Sequence, residues 1–404
     1  MKRWVVLLVG VLMGSGCGSA STAHTYWPQT ACPAHNTQDA NDVCLITHPY
    51  QTPSNKTSLS AFTSAITDDG RWIAVGGIRY DGAQPTPVLL VEFQTGAVSE
   101  LAFVSSTHGV AFSPDGTLLA AGGVQDMQVG LVRVWKTPEG APLRDLTAPI
   151  VHDDGTVPES YYSVRFSPDG RQVIAGRSFG DVVIWDAATG TVVRTLIPPR
   201  WGDGPEDMSL SADGATLVVS TGIAGPYVTV YDLATGTVRA DLDVSMLDAQ
   251  SSWPQDVALS PDGTTVAIAA NCRDPDCAGV VWLWDLRMQE VRPLRGHVGD
   301  AISVVFHPDG RWLASGGMDN SIRIWDWRAG VELYRMDGAV TAEWVTGTPA
   351  PGVPAGAGGL GSATQGFWAP VGQMRITADG RMIVYSESAN GQTRVWRLPE
   401  RLWQ

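Results

Sequence analysis

Seven recurring units of short strands and tight turns predict an all-β chain folded as a seven-bladed β-propeller. The first observation is a turn. Asp-Gly recurs at Asp69-Gly70, Asp115-Gly116, Asp169-Gly170, Asp213-Gly214, Asp262-Gly263, Asp309-Gly310 and Asp379-Gly380, at intervals of 46, 54, 44, 49, 47 and 70 residues. The second is the pattern after each turn. A short apolar stretch, such as Trp72-Ile73-Ala74-Val75 or Thr216-Leu217-Val218-Val219, leads to a strand ending in Phe93, Trp135, Trp185, Tyr231, Trp284, Trp325 or Trp396. The third is a second turn, Thr95-Gly96, Thr189-Gly190, Thr235-Gly236 or Ala329-Gly330, ahead of a fourth strand such as Val192-Val193-Arg194-Thr195-Leu196.

Residues Ser303 to Trp327 show why these pieces are strands. Val304, Phe306, Leu313, Ser315, Ile322 and Ile324 alternate with other residues, the period of an extended chain. Pro308-Asp309-Gly310 and Gly316-Gly317-Met318-Asp319-Asn320 break the pattern. Pro presets its φ and Gly or Asn accepts a positive one, so both breaks read as hairpin turns. One such unit is too small to bury a core and must stack on its copies. The seventh unit offers only three strands, Met374-Arg375-Ile376, Met382 to Tyr385 and Thr393 to Trp396. An unclosed ring would expose two sheet edges. The missing strand is expected from the N-terminal segment around Val43-Cys44-Leu45-Ile46-Thr47, with Arg401-Leu402-Trp403 as the alternative.

The units resemble WD40 repeats. Trp-Asp pairs stand at Trp185-Asp186, Trp284-Asp285 and Trp325-Asp326, a relaxed Tyr231-Asp232 joins them, and Arg295-Gly296-His297 supplies the Gly-His that opens a typical repeat. The resemblance runs over roughly residues 43 to 399. It implies a stiffening network in which His297, Asp319, Ser315 and Trp325 hydrogen-bond inside one blade. In the blade of Trp185, Ala175 and Phe179 replace the Ser and the Asp, so that network is not expected there. Propellers of this kind commonly close with an N-terminal strand. The resemblance also implies that turns after the first and third strands share one end of the ring, and the remaining connections the other.

The N-terminal residues point to export. Lys2 and Arg3 precede ten apolar residues, Trp4 to Met13, too few to span a bilayer but suited to a secretory signal. Gly14-Ser15-Gly16-Cys17 resembles a lipobox, although Gly14 replaces the usual Leu, and it implies lipidation of Cys17. Cleavage after Ala20 or Ala23, giving a secreted or periplasmic chain, is the alternative. Gly18 follows the Cys where an Asp often retains such proteins at the inner membrane, which favours an outer membrane if the cell has one. The expected organisation is a signal at 1–16, a polar tether at 17–42 and a propeller at 43–404 with an insertion at about 341–370. The remaining cysteines fit an oxidising compartment as Cys272 with Cys277 and Cys32 with Cys44, one of three connectivities. Closing the Cys32–Cys44 loop is worth roughly 3 kcal/mol in the chain-entropy model.

Function is expected in the long loops. The Asp-Gly and Thr-Gly turns are terse, whereas the connections around 79–82, 151–155, 199–203, 246–253, 272–277 and 341–370 are elaborated. Loops on a rigid scaffold carry function more often than core strands do. Trp201, Trp253, Trp344 and Trp368 lie there among Asp153, Asp154, Asp203, Glu206, Asp207, Asp256, Asp274, Asp276 and Asp300. Aromatic anchors inside a polar rim are what protein interfaces use. Trp201, Asp203, Trp253, Asp256, Trp344 and Trp368 are therefore the candidate binding residues for an unidentified protein partner of a monomeric propeller. A net charge of −14 argues against nucleic acid, which needs Lys and Arg patches. No cofactor or metal is expected, and no nucleophile elbow, P-loop or HExxH motif is present. The competing enzyme reading is a lactonase-type hydrolase holding a metal on Asp207 and Asp256, each six residues before an Asp-Gly turn.

Overall fold

Each Asp-Gly turn is built by its own side chains. A hydroxyl two residues before the Asp donates to its carboxylate, from Thr67, Ser113, Ser167, Ser211, Ser260 and Thr377, each at 2.6 Å. That carboxylate also accepts the backbone N–H two residues further on. The Gly takes a φ of 67° to 74°, which only a residue without Cβ adopts at little cost. His307 replaces the hydroxyl in the sixth unit and bonds Asp309 through Nδ1.

Between these turns the chain forms seven four-stranded antiparallel blades. The computed structural model describes residues 42–46 and 59–402, apart from 80–85, 104–105, 126–128, 149–159, 179, 200–204, 223–224, 226, 249–250, 273–277, 338–370 and 388–391. Blade 1 runs from Leu59–Ile66 to Val98–Leu101, blade 2 from Ser106–Phe112 to Ala141–Leu146, and blade 3 from Tyr161–Phe166 to Val192–Leu196. Blade 4 runs from Pro205–Leu210 to Thr237–Asp243, blade 5 from Ser251–Leu259 to Glu290–Val298, and blade 6 from Ala301–Phe306 to Val331–Asp337.

Blade 7 is Val371–Ile376, Met382–Glu387 and Gln392–Arg397, completed by Asp42–Ile46. That strand pairs antiparallel with Gln392–Arg397, from Asp42 opposite Arg397 to Ile46 opposite Thr393. The ring is thus closed by the N-terminal strand. The alternative, Arg401 to Trp403, fails for a local reason. Glu400–Leu402 is a short 3-10 turn, and its Leu402 carbonyl accepts the Trp312 indole N–H at 2.6 Å.

Blades pack face to face through apolar side chains. Trp135, Trp185, Tyr231, Trp284, Trp325 and Trp396, which end the third strands, are all buried. Within blade 3 Tyr161 meets Trp185 edge-on at 5.6 Å, and Phe103, which follows the outer strand of blade 1, meets Trp135 of blade 2 at 5.5 Å. Edge-to-face geometry adds to the burial gain of such rings.

One irregularity repeats around the ring. The innermost strand of each blade skips residues in its ladder with the second strand, between Ala61 and Thr63, Thr107 and Gly109, Tyr161 and Ser163, Pro205 and Met208, Pro254 and Asp256, Ala301 and Ser303, and Val371 and Met374. A bulge bends its strand and re-aims the extra side chain. These bulges lie at the strand starts, at the end of the ring opposite the Asp-Gly turns.

Candidate protein-interaction surface

Blade 6 contains the implied network. His297 is buried, with Nδ1 2.9 Å from the Asp319 carboxylate and Nε2 2.7 Å from the Ser315 hydroxyl. Trp325 Nε1 donates to the same hydroxyl at 2.8 Å. Burial would raise the Asp319 carboxyl, but hydrogen bonds from His297, Ser321 and the Val298 N–H outweigh it and hold it below the ordinary carboxylate range. The side chains are enclosed in the sheet and join its strands. Blade 3 lacks the set, and there Trp185 Nε1 donates to the Thr147 carbonyl instead. Its corresponding turn holds a buried Arg177–Asp181 ion pair that sequence reasoning missed.

Asp207 and Asp256 sit elsewhere than a loop position implies. Both lie inside innermost strands, Pro205–Leu210 and Ser251–Leu259, and are only 2% and 3% exposed. Asp256 is therefore corrected from an exposed binding residue to an internal one. Its Oδ2 accepts the Ser303 hydroxyl at 2.6 Å and the Val304 N–H at 2.9 Å, tying blade 5 to blade 6. Ser303 passes the tie on by accepting the Met374 N–H of blade 7, and Thr63 of blade 1 accepts the Val110 N–H of blade 2.

Asp207 is the hub of this inner ring. It accepts from Ser163 at 2.9 Å and from the Arg165 guanidinium, both on blade 3. From blade 7 it is reached by Gln373 at 3.4 Å and Arg375 at 3.5 Å. Blades 4 and 7 lie on opposite sides of the ring, so these contacts cross the axis. Burial would raise Asp207, but Arg165 and Arg375 hold it well below the ordinary range. Burial and the neighbouring Asp207 charge push Asp256 well above it, against weaker pulls from Arg375 and Ser303. The two carboxyls are thus driven in opposite directions, and both accept from protein donors. Among the described residues no group of three His, Cys, Asp or Glu side chains is placed to hold a metal.

The elaborated end presents a different surface. Trp253 is half-buried at the start of the innermost strand of blade 5, within an irregular stretch of its ladder between Ser251 and Pro254. At the same end lie exposed Glu206, exposed Tyr162 and half-buried Asp300. Tyr162 packs on His108 of blade 2, ring centroids 5.0 Å apart. Burial lowers the pKa of His108 to about 4, so it is neutral at physiological pH. Tyr162 and His108 carried no loop or motif signal. The bulge that aims them becomes visible only once the strands are paired.

Trp201, Asp203, Trp344, Trp368, Cys17, Cys32 and Cys277 lie outside the described residues, as do the side chains of Cys44 and Cys272.

Comparison with known proteins agrees with this architecture. Residues 288–326 match the profile of the WD domain, G-beta repeat. The match covers the outer strand of blade 5, the Gly296-His297 pair and three strands of blade 6 through Asp326. The chain carries a WD40 repeat. Over 354 residues, 83% of the chain, it is 25% identical to Periodic tryptophan protein 2 of Arabidopsis thaliana, spanning 34% of that protein. Over 131 residues, 32% of the chain, it is 32% identical to Protein groucho of Drosophila melanogaster, spanning 16% of it. The chain spans about a third or less of the length of these relatives.

Proposed function

We propose that this WD40-repeat propeller is a non-catalytic scaffold that binds a protein partner through its elaborated end. The carrying observation is the contrast between the two polar regions. Inside the ring, every carboxylate that an enzyme reading would use is bonded to another blade, and Asp207 is neutralised by two arginines. A metal ligand needs lone pairs that these donors already occupy. At the elaborated end Tyr162 and Glu206 are exposed and Trp253 and Asp300 half-buried, in or beside the starts of innermost strands. The similarity to Periodic tryptophan protein 2 and Protein groucho supports the same reading. Hydrogen exchange on the partner complex tests it, through protection at the starts of the innermost strands.

We further propose presentation at a cell envelope through a lipid on Cys17. The charged residues Lys2 and Arg3, the apolar run and the small residues before Cys17 support it. Intact mass of the mature chain is expected to show a diacylated or triacylated N-terminal Cys17. An unmodified N-terminus after Ala20 or Ala23 would overturn this.

A further inference from the structure

We propose that the inner ring binds a small oxyanion of phosphate type on the guanidiniums of Arg165 and Arg375. The site needs no partner protein and so goes beyond the scaffold reading. Two guanidiniums share a single carboxylate there. Arg165 bonds the Val164 carbonyl at 2.8 Å and the Asp207 carboxylate. Arg375 bonds the Met374 carbonyl at 2.7 Å but lies 3.5 Å from both Asp207 oxygens, longer than a full charge-assisted bond. The other carboxyl of the ring, Asp256, accepts from Ser303, Val304 and Val257 and bonds neither arginine. One carboxylate between two cations leaves positive charge uncompensated.

Position explains why both arginines reach the axis. Each stands four residues before its Asp-Gly turn, on the innermost strands of blades 3 and 7. The same position holds Ala65, Ala111, Ser209, Ala258 and Val305 on the other five blades, so the guanidiniums are the only long side chains there. Ser209 accepts the Leu259 N–H at 2.9 Å, and its own hydroxyl proton meets no acceptor among the described residues. Arg165 and Arg375 both stay partly exposed. An innermost strand borders the channel, so that exposure faces the channel.

The charge balance agrees with the geometry. Burial, and next the Arg375 charge, lower the pKa of Arg165 to about 10, against weaker pulls from Asp207 and Asp256. Arg165 is therefore a cation at neutral pH, held beside a like charge. A bound oxyanion relieves that repulsion and accepts forked N–H donors from both guanidiniums. It adds a second bridge between blades 3 and 7 beside the one through Asp207. The net charge of −14 repels anions from the surface at large, so a saturable site reports local donors.

The test is calorimetric titration of the full chain with inorganic phosphate in a chloride-free buffer. Saturable binding at a single site is expected. Arg375→Gln leaves Asp207 paired with Arg165 and is expected to weaken binding about tenfold. The control Arg71→Gln, which removes an exposed arginine paired with Glu92 beside the Asp-Gly turn of blade 1, is expected to leave it unchanged. Absence of saturable binding, or equal loss in both variants, overturns the proposal. Should Arg375→Gln fail to fold, wild-type crystals grown with selenate decide the matter. An anomalous selenium peak within hydrogen-bond distance of both guanidiniums is expected. Crystals without selenium at that place overturn the site, and leave the scaffold reading to its own test at the elaborated end.

Discussion

Asp207 and Asp256 are chemically alike and adjacent, yet the ring shifts their pKa values in opposite directions. Asp207 faces two guanidiniums that hold its pKa well below the ordinary range, whereas burial beside that charge pushes the pKa of Asp256 well above it. The two have opposite effects on pH stability. Asp207, with its pKa lowered, contributes stability that is present above the ordinary carboxylate range and is lost as pH falls toward its folded value. Asp256, with its pKa raised, binds a proton that the unfolded chain releases, so its contribution declines as pH rises from the ordinary value through the folded one. An amide at this position can accept from Ser303 and Val304 and donate to Asp207 as the protonated acid does. Asp256→Asn is therefore expected to gain stability relative to wild type as pH rises from the acidic range toward neutrality, measured as the melting temperature across that range. Parallel curves would show that Asp256 does not titrate with folding.

At the scale of the element, the blade was legible and the bulge was not. Asp-Gly turns, strand period and terminal aromatics sit at fixed spacing, because one hairpin geometry is rebuilt in every unit from the same hydroxyl, carboxylate and glycine. The closing strand was legible for a physical reason too: blade 7 lacked a partner for Gln392–Arg397, and an open edge is unfavourable. Asp256 was misplaced because a residue six before a turn looks like loop in sequence, while the bulged strand extends past it. Tyr162 escaped notice because Tyr161-Tyr162 reads as ordinary strand, and only pairing shows which ring is buried. The closing strand carries its own prediction. Ile46 pairs with Thr393, whose backbone groups face this strand because those of Arg394 and Trp396 face Met382–Glu387, so Ile46→Pro removes a ladder donor from the only strand linking the N-terminal segment to blade 7 among the described residues. A loss of about 3 kcal/mol in denaturant unfolding is expected. Unchanged stability would show that blade 7 holds without this strand.

For the whole molecule, the proposed scaffold role separates rigidity from recognition. The Asp-Gly end is made of repeated self-satisfied turns, the inner ring is cross-linked through Asp207, and the elaborated end varies from blade to blade. A surface that changes on every blade while its support does not is suited to recognising a partner at several points at once. Hydrogen exchange on the chain with and without its bound partner tests this most directly. Protection is expected at the starts of the innermost strands of blades 3 to 6, around Tyr162, Glu206, Trp253 and Asp300, with the Asp-Gly turns unaffected. Protection confined to the Asp-Gly turns or to the outer strands of the blades would contradict it.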